Sequence, residues 1–282
     1  MKVVVINLDK NPERWIKVSS QLNNLNINYE RYSAVYGKDL SSEEIESKTT
    51  MKCRNFLCNK GIIGCALSHM NIWKTFVEDD TEPFLCVLED DADILPDFAK
   101  FLNDAPGIYK ELNFDIISLY CIGFCSSKNT EKSLNINNHP YVFSKPIFPL
   151  STVCYIISRN GAEKLIKVIG EKVIWNIDFV IATEKLFNDI KYFYLKSPTL
   201  ISTNLEDSNL VNVNSGGVTN NVLTIVSPKL KWYLNMPVLN MFLKTPISIY
   251  VIFLLITIAI LLIYKKYLWA SVFGIELFLV CI

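Results

Sequence analysis

The sequence predicts an α/β domain on a mostly parallel central sheet, followed by a C-terminal transmembrane helix. Three observations carry this expectation. The opening residues read as a strand, helix, strand unit. The unbroken apolar run of residues 84–88 ends in the acidic cluster Glu89-Asp90-Asp91-Ala92-Asp93. Residues 247–264 are uncharged throughout, close to the ~20 residues a helix needs to cross a hydrocarbon core.

Residues 3–8 form the first apolar run, too short for a secretory signal and followed by no small-residue cleavage site. Asn11-Pro12-Glu13 then starts a helix, with Asn as the N-cap and Pro at the first helical position. Trp15, Val18, Leu22 and Leu25 recur at helical spacing. A second strand over residues 29–35 completes a unit whose right-handed crossover implies a parallel sheet. Gly61 to Gly64 punctuates another helix, with Leu67, Met70, Trp73 and Phe76 as its core stripe. Strands are expected over residues 84–88, 114–119 and 153–158, helices over 161–168 and 177–187, and a surface loop over 126–139. His139 in that loop reads as solvated, and Glu78-Asp79-Asp80 as a solvated helix end.

Residues 1–230 thus form one domain, 231–246 a juxtamembrane linker and 247–264 the transmembrane helix. A second apolar segment, 267–282, is the returning half of a hairpin or an interfacial helix, with Glu276 near its middle.

Lys plus Arg and Asp plus Glu both number 28, so no global field concentrates a polyanion, composition makes no case for nucleic acid as a partner, and any basic partner site would have to be local. All cysteines but Cys281 lie in the main domain, several within apolar runs, which reads as reduced thiols packed as small hydrophobes. No Asn begins an Asn-x-Ser/Thr acceptor. Lys265 and Lys266 oppose Lys229, Lys231 and Lys244 under the positive-inside rule. Thiols and missing acceptors favour a membrane protein with a cytosolic catalytic domain.

The acidic cluster sits where α/β enzymes place their ligands, at the carboxyl end of a buried strand. Crowded carboxylates repel one another, and a cation relieves the repulsion. Oxygen ligands suit Mn²⁺ or Mg²⁺, which complete their shells from a substrate's phosphates. His69 follows Ser68 on the Gly64 helix, and read alone it is a structural hydrogen-bonding residue. Cys53 and Cys58 are too few ligands for a zinc site.

Together these residues resemble glycosyltransferase family 25, which includes lipooligosaccharide and collagen galactosyltransferases. The matching pieces are Ile6-Asn7-Leu8 with Arg14, Gly61 to Gly64 with Cys65-Ala66-Leu67-Ser68-His69, Leu88-Glu89-Asp90-Asp91, Tyr155 to Ser158 with Gly161-Ala162 and Leu165, and Ile177-Asp178. They span roughly residues 1 to 205 in order, with a looser match at Ser197-Pro198 and Glu206-Asp207-Ser208. The resemblance implies a GT-A-like nucleotide-sugar-binding fold, metal dependence, a UDP-sugar donor, often UDP-galactose, and inversion at the anomeric carbon.

It further implies that Asp91 is the main metal ligand; Asp93 is an extra acid beyond the matching piece, a candidate to support the metal from just behind its ligands. Glu89 and Asp90 would lie around the ribose and the metal, and Asn7, Arg14, Ser68 and His69 on the nucleotide side. Asp178 is either the general base that deprotonates the acceptor hydroxyl or a helix-start carboxylate that accepts backbone N–H groups. The acceptor would be a glycan, a glycolipid or a protein. Two other readings remain: a catalytically inactive scaffold on the same fold, against which the intact Glu89 to Asp91 and Asp178 argue, and a nucleotidyltransferase. The latter lacks its usual Gly-rich basic loop, since Asp9-Lys10-Asn11-Pro12 follows the first strand.

Overall fold

The computed structural model describes residues 1–79, 81–125, 130–203 and 249–281. They belong to two units, Met1–Ser208 and Asn209–Ile282.

In the first unit the opening folds as the sequence predicts, with β1 (Lys2–Asn7), α1 (Pro12–Asn24) and β2 (Glu30–Ser33). Asn11 precedes α1, but its side chain makes no cap hydrogen bond. Next come α2 (Ser42–Lys48), α3 (Lys60–Glu78), β3 (Phe84–Glu89), β4 (Asp93–Ile94) and α4 (Phe98–Leu112). The strands β5 (Ile116–Ser118), β6 (Ile122–Phe124), β7 (Lys132–Ile136), β8 (His139–Ser144), β9 (Phe148–Leu150) and β10 (Cys154–Ser158) follow. The unit continues through α5 (Arg159–Ile169), α6 (Ile177–Phe187), β11 (Tyr192–Ser197) and β12 (Ile201–Ser202).

Eight strands form the central sheet in the order β2-β1-β3-β10-β5-β11-β8-β7. β10 and β8 run against the other six, so the sheet is mixed: only β1–β2, β1–β3 and β5–β11 pair in parallel. Six of the eight strands still point one way, as expected of a mostly parallel sheet, and the two reversed strands are what make it mixed. Apolar runs such as residues 154–158 show burial on both faces but not direction, which the connections decide. Short ribbons pair β4 with β12 and β6 with β9.

Alternation along the strands divides the core. Val3 and Val5 of β1, with Phe84, Cys86 and Leu88 of β3, pack with residues of α1 and α4. Val4 and Ile6, with Leu85 and Val87, pack with Trp73 and Phe76 of α3, Leu165 of α5 and Ile181 of α6. The sheet is therefore a middle layer between helices, and burying each such side chain contributes about 1.5–3 kcal/mol.

The Gly61 to Gly64 signal has a steric cause. A Cβ on Gly64 would stand 2.3 Å from the Val35 carbonyl oxygen and 2.8 Å from Gly37 N. This close approach sets the start of α3 against the chain leaving β2. Ser68 fastens it, accepting from Val35 N at 2.9 Å and donating to the Gly64 carbonyl at 2.8 Å.

Three further expectations are corrected in this unit. Residues 126–139 do not form a loop throughout: β7 and β8 make an antiparallel hairpin from Lys132 onward, turned by Asn137 and Asn138 at positive φ, a conformation Asn tolerates. His139 is not simply solvated, because its Nδ1 lies 2.6 Å from Asp104 Oδ2. The cysteines are not all reduced: Cys53 pairs with Cys58 and Cys121 with Cys125 as disulfides, while Cys65, Cys86 and Cys154 are free among the described residues. Local turns bring those partners together, which composition could not show, and the thiol argument for a cytosolic domain loses that support.

Asp104, buried in α4, also accepts from Asn137 Nδ2 at 2.6 Å and Tyr141 Oη at 2.8 Å. Burial pushes its carboxyl up, but the hydrogen bonds from His139, Asn137 and Tyr141 outweigh it and hold the group below the ordinary value. The folded state then binds fewer protons than the unfolded chain, so this contribution is present above the unfolded pKa and lost as pH falls through the folded one. Asp104→Ala, which strands these donors, is expected to cost about 3 kcal/mol in a urea titration at neutral pH. A loss under about 0.5 kcal/mol would show that the hairpin is not held by this cluster.

In the second unit the described residues form two helices, α7 (Ile249–Ile263) and α8 (Tyr267–Cys281), joined by a turn at Tyr264 and Lys265. They pack on each other. The transmembrane helix expected over residues 247–264 is not supported here. The described part of α7 has 15 residues. Among the described residues no helix is long and apolar enough to cross a membrane. The linker 231–246, residues 204–230 and Glu206 to Ser208 lie outside the described residues.

Candidate active site

The site lies where parallel β1 and β3 end side by side, with Ile6 paired to Glu89. Asn7 ends β1 and is 1% exposed. Its Nδ2 donates to Asp90 Oδ2 at 2.7 Å and to the Asn11 carbonyl at 3.1 Å. Its Oδ1 accepts from Arg31 Nε at 3.1 Å and Nη2 at 2.6 Å. Arg14, one turn into α1, places Nη1 3.2 Å from Asp90 Oδ1. Asp90 is thus held by a cation and an amide.

Glu89 turns to the other side of the sheet. Its Oε1 accepts from Thr152 Oγ1 at 2.6 Å and lies 3.3 Å from His69 Nε2. His69 Nδ1 is 2.9 Å from the Tyr155 hydroxyl, which accepts from Trp73 Nε1 at 2.8 Å. This chain fixes the protons: Tyr155 O–H points at Nδ1, and Nε2–H points at Glu89. Burial pushes the Glu89 carboxyl up, but His69 and Thr152 hydrogen bonds and the Arg14 charge hold it below the ordinary value.

Asp91 is different. Its Oδ1 is buried and has no hydrogen-bond partner among the described residues. Burial, with the charges of Glu89 and Asp90, pushes its carboxyl up to about 7 despite Arg14. A buried carboxylate oxygen without a partner is costly. A divalent cation is the partner whose chemistry fits an oxygen flanked by two more acids. Asp93, in β4, is partly exposed and pairs with Lys17 Nζ at 2.6 Å.

Asp178 stands in the first turn of α6. Burial pushes its carboxyl up to about 6, against backbone hydrogen bonds from Phe179 and Ser151, and the Glu89 charge adds to the rise. The Phe179 N–H reaches Oδ1 at 2.7 Å. Ser151 has φ 102, an uncommon backbone for a residue with a side chain, of the kind found at functional sites. Asp178 lines a small cavity with Ser151, Thr152, Tyr155 and Tyr192. The charges of Glu89, Asp178 and Asp91 all bear on Cys65, whose thiol burial and these charges push well above its ordinary value.

The structure therefore gathers Asn7, Arg14, Asp90, Glu89, His69 and Asp91 at one end of the sheet, with Asp178 within electrostatic reach of Glu89. Ser68 instead faces the chain after β2, and Asp93 faces α1. Arg31, Thr152, Tyr155 and Trp73 were not singled out from sequence as site residues. Tyr155 and Trp73 read as core, and only their partners reveal their polar atoms.

This geometry sets an acid cluster beyond parallel strands, with one buried carboxylate oxygen unpartnered among the described residues. The profile of glycosyltransferase family 25 (LPS biosynthesis protein) matches residues 1–181, and the chain belongs to that family. A glycosyltransferase 25 family member of Aedes aegypti is 28% identical, over 58% of this chain and 28% of its own length. Procollagen galactosyltransferase 2 of Homo sapiens is 26% identical, over 58% of this chain and 27% of its own. The chain thus spans less than a third of the length of these relatives. Among solved structures, S. aureus TarS 1-349 aligns with a TM-score of 0.38 at 17% identity, covering 71% of this chain and 60% of that one.

Proposed function

We propose that this chain is a metal-dependent, inverting glycosyltransferase that moves a hexose, galactose by preference, from a UDP-sugar to a hydroxyl of a glycan, lipid-linked glycan or protein. Family membership supports the reaction class. The observation that carries the metal is the buried, unpartnered Asp91 Oδ1 among acids that already have partners. Mn²⁺ or Mg²⁺ held by Asp91 would supply a counter-charge for the leaving diphosphate. Arg14 and Asn7 fix Asp90 so that Asp91 faces the ion alone. Asp178 takes the proton from the acceptor hydroxyl, whose oxygen forms the new bond to the anomeric carbon as the bond to the diphosphate breaks. The test is a panel of UDP-, GDP- and CMP-sugars with Mn²⁺, reading nucleotide release. UDP-galactose is expected to lead, and a flat panel would contradict the donor assignment.

The apolar hairpin supports a membrane location. Phe253, Ile260, Leu268, Trp269 and Ile275 are exposed on α7 and α8, more apolar surface than soluble proteins leave bare. The hairpin seats in one leaflet, with the catalytic unit in the cytosol. Full-length protein is expected to stay with membranes through alkaline carbonate washing, and its release would contradict this location.

A further inference from the structure

Cys65 and His69 are four residues apart on α3 and so share a face of the helix. Across from them Glu89 ends β3. One ligand atom from each of Cys65, His69 and Glu89 lies within 4.8 Å of the others. We propose that Cys65, His69 and Glu89 form a second cation site, for a thiophilic divalent ion such as Zn²⁺, distinct from the oxygen site at Asp91.

Sulfur, imidazole and one carboxylate are the ligands zinc prefers, and three protein ligands leave a fourth position open. Hard ions such as Mn²⁺ bind such a set far more weakly, so the two sites sort ions by softness. The surroundings orient the ligands. Tyr155 holds His69 through Nδ1, itself set by Trp73, and Thr152 holds Glu89. Such outer partners are typical of metal sites. On binding, the ion takes the place of the proton between Nε2 and Glu89. The imidazole stays neutral with its proton on Nδ1 toward the Tyr155 oxygen, and the Cys65 thiol proton passes to water as the sulfur bonds the metal. Glu89 would then be shared ground between the soft ion and the acid cluster, so Zn²⁺ is expected to slow sugar transfer.

The test uses Co²⁺ as a coloured stand-in for Zn²⁺, titrated into the protein with the Cys53–Cys58 and Cys121–Cys125 disulfides left intact. The expected result is a near-ultraviolet thiolate-to-cobalt band that saturates at one ion and is bleached by Zn²⁺. Cys65→Ser, nearly isosteric, should abolish the band, while Tyr155→Phe should weaken Zn²⁺ binding roughly 10-fold. Asp91→Asn should keep the band, which separates this site from the proposed catalytic ion. No band in the parent protein, or a band that survives in Cys65→Ser, would overturn the proposal. So would a band lost in Asp91→Asn but kept in Cys65→Ser. Circular dichroism checks each fold, and His69→Gln gives a second ligand variant with the same expected loss.

Discussion

Asp91→Asn is expected to lower the rate of sugar transfer by ~10²–10³, on the order of 3–4 kcal/mol of transition-state stabilisation. The amide keeps the shape of the side chain but not the charge that holds a cation. The neighbours cannot replace it, since Asp90 is tied to Arg14 and Asn7, and Glu89 to His69 and Thr152. The variant should be no less stable than the parent. Burial and two adjacent acids push the Asp91 carboxyl up to about 7, so removing the acid relieves repulsion. Asp93→Asn, which breaks only the partly exposed pair with Lys17, should change turnover little. Rates of both folded variants at saturating Mn²⁺ decide the matter. Near-normal turnover in Asp91→Asn would remove Asp91 from catalysis.

Asp178→Asn carries the second large effect, a loss of ~10²–10⁴ in kcat/KM if the carboxylate is the general base. The substitution discriminates between the two roles left open by the sequence. An Asn oxygen can still accept the Phe179 N–H, so a carboxylate that only caps α6 would be replaced at little cost. A base would not. The carboxyl is pushed up to about 6, so kcat/KM in the parent should rise with pH through that region as the base form fills, and the limb should vanish in the variant. Stability moves the other way. With its pKa raised on folding, the folded protein holds the proton more tightly between about pH 4 and 6. Stability therefore falls with rising pH across that window, by on the order of 3 kcal/mol. Asp178→Asn should accordingly be more stable than the parent at neutral pH while being less active. A variant both active and unchanged in stability would return Asp178 to a capping role.

Much of the architecture was legible in the residues because it rests on local rules. The apolar run into Glu89 reads as a doubly buried strand, and Gly61 to Gly64 marks the start of α3. What was not legible depends on chain direction and on distant partners. β10 looks like any buried strand, and only its insertion between β3 and β5 makes the sheet mixed and brings Thr152 to Glu89. The β7–β8 hairpin has few apolar residues on its exposed side and reads as loop until Asp104 is seen beneath it. The site's acids were recognisable as a group, but not their division of labour. Arg31 reaches Asn7 through strand pairing, and Tyr155 reaches His69 across layers, neither of which spacing encodes. The apolar end showed its hydrophobicity plainly, and the turn at Tyr264 and Lys265, with Lys265 at φ 54, falls where the two apolar runs meet in the sequence.

The central claim is that Asp91 and a nucleotide diphosphate share a divalent ion. Calorimetry of UDP binding to the full-length protein, with Mn²⁺ and then with a chelator in its place, tests it most directly. The account predicts binding only with the metal present and its loss in Asp91→Asn. Equal affinity with and without the metal would contradict it.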